Sequence, residues 1–159
     1  MQASAPTPAP TAPPAALRDD PFDSVNDSGR TRLLIHRIQL VSARDGVTSE
    51  VTLQLSGQDH TGTADATSTP TAVHRSVAHA TLRAVEEALG GRVRFELEHL
   101  ETATLGSERA VLVEVSMVTR HGSERLTGVS AVREDARQAV IRATLDALNR
   151  RIETFLTPA

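Results

Sequence analysis

The residues of this chain that could bind a ligand surround two predicted helix starts. Unpaired backbone N–H groups and the positive end of a helix dipole favour a carboxylate or phosphate at such a place. Asp65, just before the first start, could hold an ammonium group, as an amino-acid ligand requires. The alternative is that both starts are ordinary turns and caps. The candidate ligand-binding residues are Gly62, Asp65, Ala66, Val73, His74 and Val77 at the first start, and Gly128, Ser130, Ala136 and Val140 at the second.

The six histidines of the sequence do not have the spacing of a metal site. His74 and His79 are five residues apart, which directs them to different faces of a helix. His36 and His99 are predicted at equivalent strand positions of two repeated units, where they could face each other. Two ligands without a nearby carboxylate or thiolate make a poor metal site. We therefore expect no metal and no other cofactor.

A catalytic arrangement is not indicated either. The chain has no Cys, so it has no thiolate nucleophile and no disulfide, and it has no Gly-x-Ser-x-Gly elbow. The acids that could act in proton transfer alternate with apolar residues, as on solvated strand and helix faces. They are Glu86, Glu87, Glu96, Glu98 and Glu101. We expect that the protein is not an enzyme.

The composition argues against nucleic acid and membranes as partners. Only three residues are aromatic, all of them Phe, which leaves little to stack on single-stranded bases. The formal net charge of −3 lies within residues 1–29, and the rest of the chain is neutral. A neutral domain has no strong attraction to a polyanion or an anionic membrane. No apolar run approaches the roughly 18 residues of a membrane-spanning helix.

Arginine supplies every basic side chain, since the sequence contains no Lys. Five arginines of the last predicted helix are interleaved with Glu134, Asp135 and Asp146. This mixture favours ion pairs along the helix over contacts with phosphate. The five are Arg133, Arg137, Arg142, Arg150 and Arg151.

Residues 1–29 are predicted to form a disordered tail. Six prolines stand among Ala, Ser and Thr, and such a segment cannot bury enough apolar area to offset its backbone entropy. We expect a solubilising role, with docking of the tail on an unknown protein partner as the alternative. The tail also lacks the basic start and the apolar block of about 7–15 residues of a signal peptide. A cytoplasmic location is therefore expected.

From Arg30 onward one order of elements occurs twice, with an offset of about 63 residues. The first unit, about residues 30–91, has predicted strands at 33–41 and 51–55, a strand or loop at 61–67 and a helix at 71–89. The second, about residues 92–156, has predicted strands at 93–99, 111–118 and 126–132 and a helix at 133–154. The predicted turns are 45–46, 56–60, 105–106 and 120–123.

Each predicted unit has one apolar sheet face and one apolar helix stripe. Two such units bury both surfaces only by packing together. We therefore expect an α+β fold in which two pseudo-twofold-related βββα units form a single domain, residues 30–159, with the helices packed on antiparallel sheets.

This arrangement resembles the C-terminal regulatory domain, or allosteric dimerisation domain, of 2-isopropylmalate synthase and its homocitrate and citramalate synthase relatives. The resemblance covers about residues 32–153. It is carried by VTLQLSGQDHTGTADA at 51–66, LETATLG at 100–106 with AVLVEV at 110–115, and TGVS at 127–130 with ALNR at 147–150. The family domain normally follows a TIM-barrel catalytic domain of about 250 residues. No such domain is present in this sequence, so the resemblance implies a stand-alone regulatory domain.

The resemblance implies a non-catalytic regulatory protein that binds a small, amino-acid-like metabolite and acts through the interface of a homodimer. Its protein partner stays unknown. The alternative is a structural or assembly module of the same fold, which dimerises and recruits a partner without any ligand.

Overall fold

The structure is a computed structural model that describes residues 32–156. The predicted tail, residues 1–29, lies outside the described residues. The first unit contains β1 (Leu34–Ala43), β2 (Gly46–Leu55), β3 (Gln58–Ala66) and α1 (Pro70–Ala88). The second unit contains β4 (Arg94–Leu105), β5 (Glu108–Thr119), β6 (Gly122–Ala131) and α2 (Ala136–Leu156).

Each unit forms its own antiparallel sheet, with the strands side by side in chain order. Alternation of apolar and polar residues explains which face is buried, because successive side chains of a strand point to opposite faces. In the central strand β2, Val51 and Leu53 are fully buried. The equivalent residues of β5, Val113 and Val115, are also fully buried. The predicted α+β fold of two βββα units is therefore confirmed.

The helices begin and end where their sequence favours it. Thr69 caps α1, accepting a hydrogen bond from the Ala72 N–H at 3.3 Å, and Pro70 stands at the first helical position. The helix ends before Gly90 and Gly91, both at positive φ, where glycine costs little. The Gly91 N–H returns to the Glu86 carbonyl at 2.9 Å.

The two helices lie between the two sheets and share one core. α1 packs on β2 and β3 and also contacts β4 of the other sheet, and the two helices contact each other. Buried apolar residues of both units form a single cluster. Val77 and Val85 of α1 and Val140 and Leu148 of α2 are fully buried in it. Each helix therefore needs a wide apolar surface, which Ala-rich sequences supply without bulk.

The strands are longer than the apolar pattern predicts. β2 and β3 are joined by only Ser56 and Gly57, because Leu55 already pairs with Gln58. In the second unit Thr119 pairs with Gly122. The predicted turns at 56–60 and 120–123 are therefore wrong in extent. Backbone pairing continues past the last buried side chain, where both faces of the hairpin carry polar residues and the apolar signal stops.

Each sheet has a β-bulge in its first strand. His36 is the extra residue between the pairs that begin at Ile35 and Arg37, and Glu98 is the extra residue between Leu97 and His99. The bulges therefore match His36 with Glu98. The predicted equivalence of His36 and His99 is wrong by one residue, because an alignment of the two halves by sequence alone cannot place a bulge.

Candidate functional site

A cleft of about 530 Å³ opens between β1 of the first unit and α2 of the second. Its apolar wall consists of Ile35, Ile38 and Leu40 of β1, which pack partly buried against the core. Arg137 and Arg142 of α2 line the opposite side. The volume lies within the range of small-molecule sites, although the cleft is open and most of its lining surface is polar.

The bulge of β1 sets one rim of the cleft. His36, the extra residue, lines the cleft and lies with its Nδ1 2.9 Å from Asp59 Oδ1. The neighbouring Arg37 donates to Glu50 at 3.1 Å. His36 and Arg37 therefore both have partners on their own sheet. The positive charge that could meet a ligand comes from the arginines of α2.

Asp135 fixes the start of α2 and the position of Arg137. Its carboxylate accepts the Arg137 backbone N–H at 2.9 Å and the side-chain Nε at 2.9 Å. The hydrogen bond from the Arg137 side chain is the main reason why the pKa of Asp135 lies below its ordinary value. The same bond raises the pKa of Arg137. Since Asp135 engages Nε, it does not hold the two terminal nitrogens of this guanidinium.

Arg142 lies farther along α2 and is the more available cation. It lines the cleft and makes no hydrogen bond or ion pair with any residue in the described range 32–156. Gln138 precedes it by one turn and lines the same cleft, as residues four apart on a helix do. Arg137, Gln138 and Arg142 thus present donors beside an aliphatic wall.

The groups that this arrangement brings together are of the kind that can recognise a carboxylate. A guanidinium matches a carboxylate with parallel N–H donors, and the β1 side chains offer contact to an apolar substituent.

Within residues 32–156 no three His, Asp or Glu side chains converge as metal ligands would. No helix of that range is long and apolar enough to cross a membrane.

The structure places four of the predicted site residues inside the fold itself. Val77 and Val140 are fully buried core residues. A Cβ on Gly62 would lie 2.0 Å from the Ala80 carbonyl oxygen, and one on Gly128 would lie 2.0 Å from that of Ala143. Both glycines thus allow a helix to approach its sheet closely. Helix backbone atoms occupy the space in which a side chain would lie.

Asp65 and Ala66 lie in a different place from the cleft. They line a cavity of about 200 Å³ beside the turn between β1 and β2, together with Gly46 and Thr48 among others. The Thr48 hydroxyl donates to Asp65 at 2.6 Å, so this carboxylate has a partner on its own sheet. Ser130 of β6 donates to the Ala131 carbonyl at 3.4 Å.

Charged residues at the start of α2 act on a residue in the second turn of α1. His74 of α1 is near enough to Asp135 and Arg137 at the start of α2 to be influenced by their charges. Burial is the largest cause of the lowered pKa of His74. The charge of Asp135 raises this pKa, and the charges of Arg109 and Arg137 lower it further. Val73 accepts a bond from Ser76 at 2.8 Å, and Ala136 begins α2.

No protein-family model matches the chain. No curated protein matches it either.

Sequence reasoning missed the aliphatic wall and assigned the arginines of α2 to ion pairs. Asp135 does pair with Arg137, but Arg142 lines the cleft without such a partner in the described part of the chain. The local signal in α2 was the four-residue spacing of Gln138 and Arg142, which places both on one face of the helix. The wall belongs to β1, about a hundred residues away in sequence, and no periodicity within α2 could indicate it.

Proposed function

We propose that this chain is a non-catalytic regulatory protein with a domain of the 2-isopropylmalate synthase allosteric type, and that it binds a small, amino-acid-like carboxylate in the cleft between β1 and α2. The observation that carries the proposal is Arg142. This arginine borders a cleft of about 530 Å³, and within residues 32–156 it has no acidic partner.

The lining of the cleft indicates the chemical class of the ligand. Arg137 and Arg142 favour one carboxylate, and Ile35, Ile38 and Leu40 favour an aliphatic substituent next to it. Branched-chain amino acids and the corresponding 2-oxo acids combine the two features. An ammonium group would be turned toward Asp135, the acid that lines the same cleft.

The position of the cleft supports a regulatory role. One wall belongs to the first βββα unit and the other to the second. A ligand that contacts both walls stabilises the arrangement of the two units in which the walls are correctly spaced. Coupling to a second site, such as a dimer interface, then requires only that this site depend on the same arrangement.

The test is a thermal-shift and calorimetric screen of the full chain against branched-chain amino acids and 2-oxo acids, with the matching amides as probes lacking the carboxylate. A ligand present at about 100 times its dissociation constant stabilises the fold by about 2.7 kcal/mol, which is several degrees for a domain of this size. The amides should give no shift.

Arg142→Gln should weaken the binding of the active compound by about tenfold or more, because it removes a charge-assisted pair of about 1.5–3 kcal/mol. Arg150→Gln is the matched control, since Arg150 lies on the same helix but borders a different cleft, beside β6. Equal binding by the Arg142→Gln variant, or no stabilising compound at millimolar concentration, would contradict the proposal and favour an assembly module that has no ligand.

A further inference from the structure

The edge strands of the two sheets differ in how their free edges are covered. They are β1 and β3 in the first sheet and β4 and β6 in the second. On three of these four strands a helix carboxylate accepts a backbone N–H: Thr61 of β3 donates to Glu87 at 2.9 Å, Phe95 of β4 to Glu86 at 2.7 Å and Val129 of β6 to Asp146 at 3.0 Å. Within residues 32–156 the backbone of β1 bonds only to β2. In this part of the chain, β1 is therefore the edge that no helix side chain closes.

An uncovered edge is a row of backbone N–H and C=O groups that a second extended chain can bond. In β-strand addition a peptide supplies the next strand, and its backbone hydrogen bonds give the affinity. β1 is ten residues long, whereas proteins commonly keep an exposed edge strand short. The length of β1 and its open edge together indicate a strand that can receive an extended peptide.

The space beside β1 has the length that such a peptide needs. The part of β1 that lines the cleft runs from Ile35 to Leu40, which is about 17 Å of strand. An extended peptide of five residues has the same length. The cleft beside it has a volume of about 530 Å³, so a short strand can lie between β1 and α2.

The equivalent interface of the second sheet is an internal control. There α1 contacts β4, and the cavity left between them is about 230 Å³. On the other side α2 makes no contact of this extent with β1. The fold therefore does not require an open cleft where a helix passes the edge of the opposite sheet, and only the β1 side leaves room for a strand.

The cation in the cleft favours a peptide that ends there. Ala80 and Ala143 take the same place against Gly62 and Gly128, so α1 has a histidine where α2 has Arg142. A terminal carboxylate complements this guanidinium, which has no acidic partner within residues 32–156. The last residue of a peptide also has the chemistry of the small ligand, with an amide N–H in place of the ammonium group. A branched last side chain would lie against the aliphatic wall of β1.

We propose that β1 receives the C-terminal segment of a partner protein as a fourth strand of the first sheet, with a branched aliphatic last residue whose carboxylate bonds Arg142. The proposal rests on the proposed function, because this last residue occupies the same cleft, and it adds the partner on which the ligand acts. A free branched-chain acid and the segment exclude each other, since both carboxylates need Arg142. Binding of the small ligand thus releases the partner.

The experiment is calorimetric titration of the full chain with the peptide acetyl-Val-Thr-Val-Thr-Leu, compared with acetyl-leucine. The alternation puts both valines and the leucine of this peptide on one face. We expect the peptide to bind at least about tenfold more tightly than acetyl-leucine, because four further residues add backbone hydrogen bonds. The C-terminal amide of the peptide should lose at least about tenfold in affinity. Arg142→Gln should weaken the peptide acid equally, and Arg150→Gln is the matched control.

N-methylation of single residues separates strand addition from binding of the acid alone. Alternate N–H groups of a strand face the same neighbour, so the effect of a methyl group should have a period of two. The second and fourth residues of the peptide should behave alike, and the third should behave in the opposite way. One of these two sets should lose the gain over acetyl-leucine, and the other should keep most of it.

The outcomes distinguish this proposal from the proposed function. Acetyl-leucine that binds as tightly as the peptide, and still depends on Arg142, would overturn strand addition and leave the ligand cleft standing. Equal losses on methylation of the second, third and fourth residues would also overturn it. Saturating acetyl-leucine should raise the apparent dissociation constant of the peptide, and simultaneous binding of the two would place the peptide elsewhere. A chain that binds neither the peptide nor any branched acid would contradict both proposals.

Discussion

At the scale of single residues, a buried pair of hydroxyls distinguishes the two units. Ser49 of β2 and Ser76 of α1 are almost completely buried, and their oxygens are 2.6 Å apart. Because the Ser76 hydroxyl donates to the Val73 carbonyl, the Ser49 hydroxyl must be the donor to Ser76. The second unit has Val111 and Ala139 at these places, both buried. One fold thus accepts a polar pair and an apolar pair in the same interface.

We predict that Ser76→Ala lowers the free energy of unfolding by about 1–3 kcal/mol, because the Ser49 hydroxyl then stays buried without an acceptor. Ser49→Val combined with Ser76→Ala should recover most of the loss, since it reproduces the Val111–Ala139 pair. α1 approaches the first sheet as closely as α2 approaches the second, since an added Cβ would lie 2.0 Å from a helix carbonyl oxygen at both Gly62 and Gly128. Denaturant unfolding checks this, and a double variant less stable than the single one would contradict it.

At the scale of elements, the edge strands β3 and β6 are closed by helix side chains. Glu87 of α1 accepts the Thr61 N–H of β3 at 2.9 Å, and Arg83 donates to the Thr63 carbonyl. Asp146 of α2 accepts the Val129 N–H of β6 at 3.0 Å. These bonds occupy backbone groups through which another strand could pair, and so they oppose edge-to-edge association. β1 has no such bond within the described residues.

Gly128 tests how closely α2 must approach its sheet. A Cβ at this position would lie 2.0 Å from the Ala143 carbonyl oxygen and 2.4 Å from the Ala147 nitrogen. Since these are backbone atoms, the helix itself must move. We predict that Gly128→Ala lowers the free energy of unfolding by about 3 kcal/mol or more. Thr127→Ala, at the exposed neighbouring position, should cost less than about 1 kcal/mol. Denaturant unfolding measures both, and equal losses would contradict the packing role of Gly128.

The order and type of the elements were predictable, because each depends on a local pattern. The helix predicted at 71–89 is observed at Pro70–Ala88, and the apolar alternation of β2 and β5 marks their buried faces. The role of Gly62 and Gly128 was not predictable, since a glycine that serves a turn and one that serves a helix contact have the same sequence signal. The cleft was not predictable either, because β1 and α2 meet only through the packing of the two units.

At the scale of the whole molecule, the two helices run in the same direction. Their starts approach each other, as the influence of Asp135 on His74 indicates. At the other end Arg92 donates to the Leu89 carbonyl at 3.0 Å and to the Phe155 carbonyl at 3.3 Å. One guanidinium therefore satisfies carbonyls at the ends of both helices. It also places a positive charge at the negative ends of two aligned dipoles, which links the units at the end away from the cleft.

The pH dependence of stability follows from two histidines of α1. Burial is the main cause that lowers the pKa of His74, and of His79, where Arg75 and Arg83 add to it. A histidine whose pKa is lower in the folded state binds protons more readily when the chain unfolds. The stability it contributes is present above the ordinary value of 6.5 and is lost as the pH falls toward the folded-state pKa.

We therefore predict that the free energy of unfolding decreases between about pH 7 and pH 5, the range in which the unfolded chain takes up these protons. His79→Gln should reduce this decrease, because one of the two partly buried imidazoles no longer titrates. His121→Gln, at an exposed turn, is the matched control and should leave the decrease as it is in the wild type. Denaturant unfolding at both ends of the range measures the three proteins. An unchanged decrease in the His79→Gln variant would show that burial of this imidazole does not contribute to the acid sensitivity of the fold.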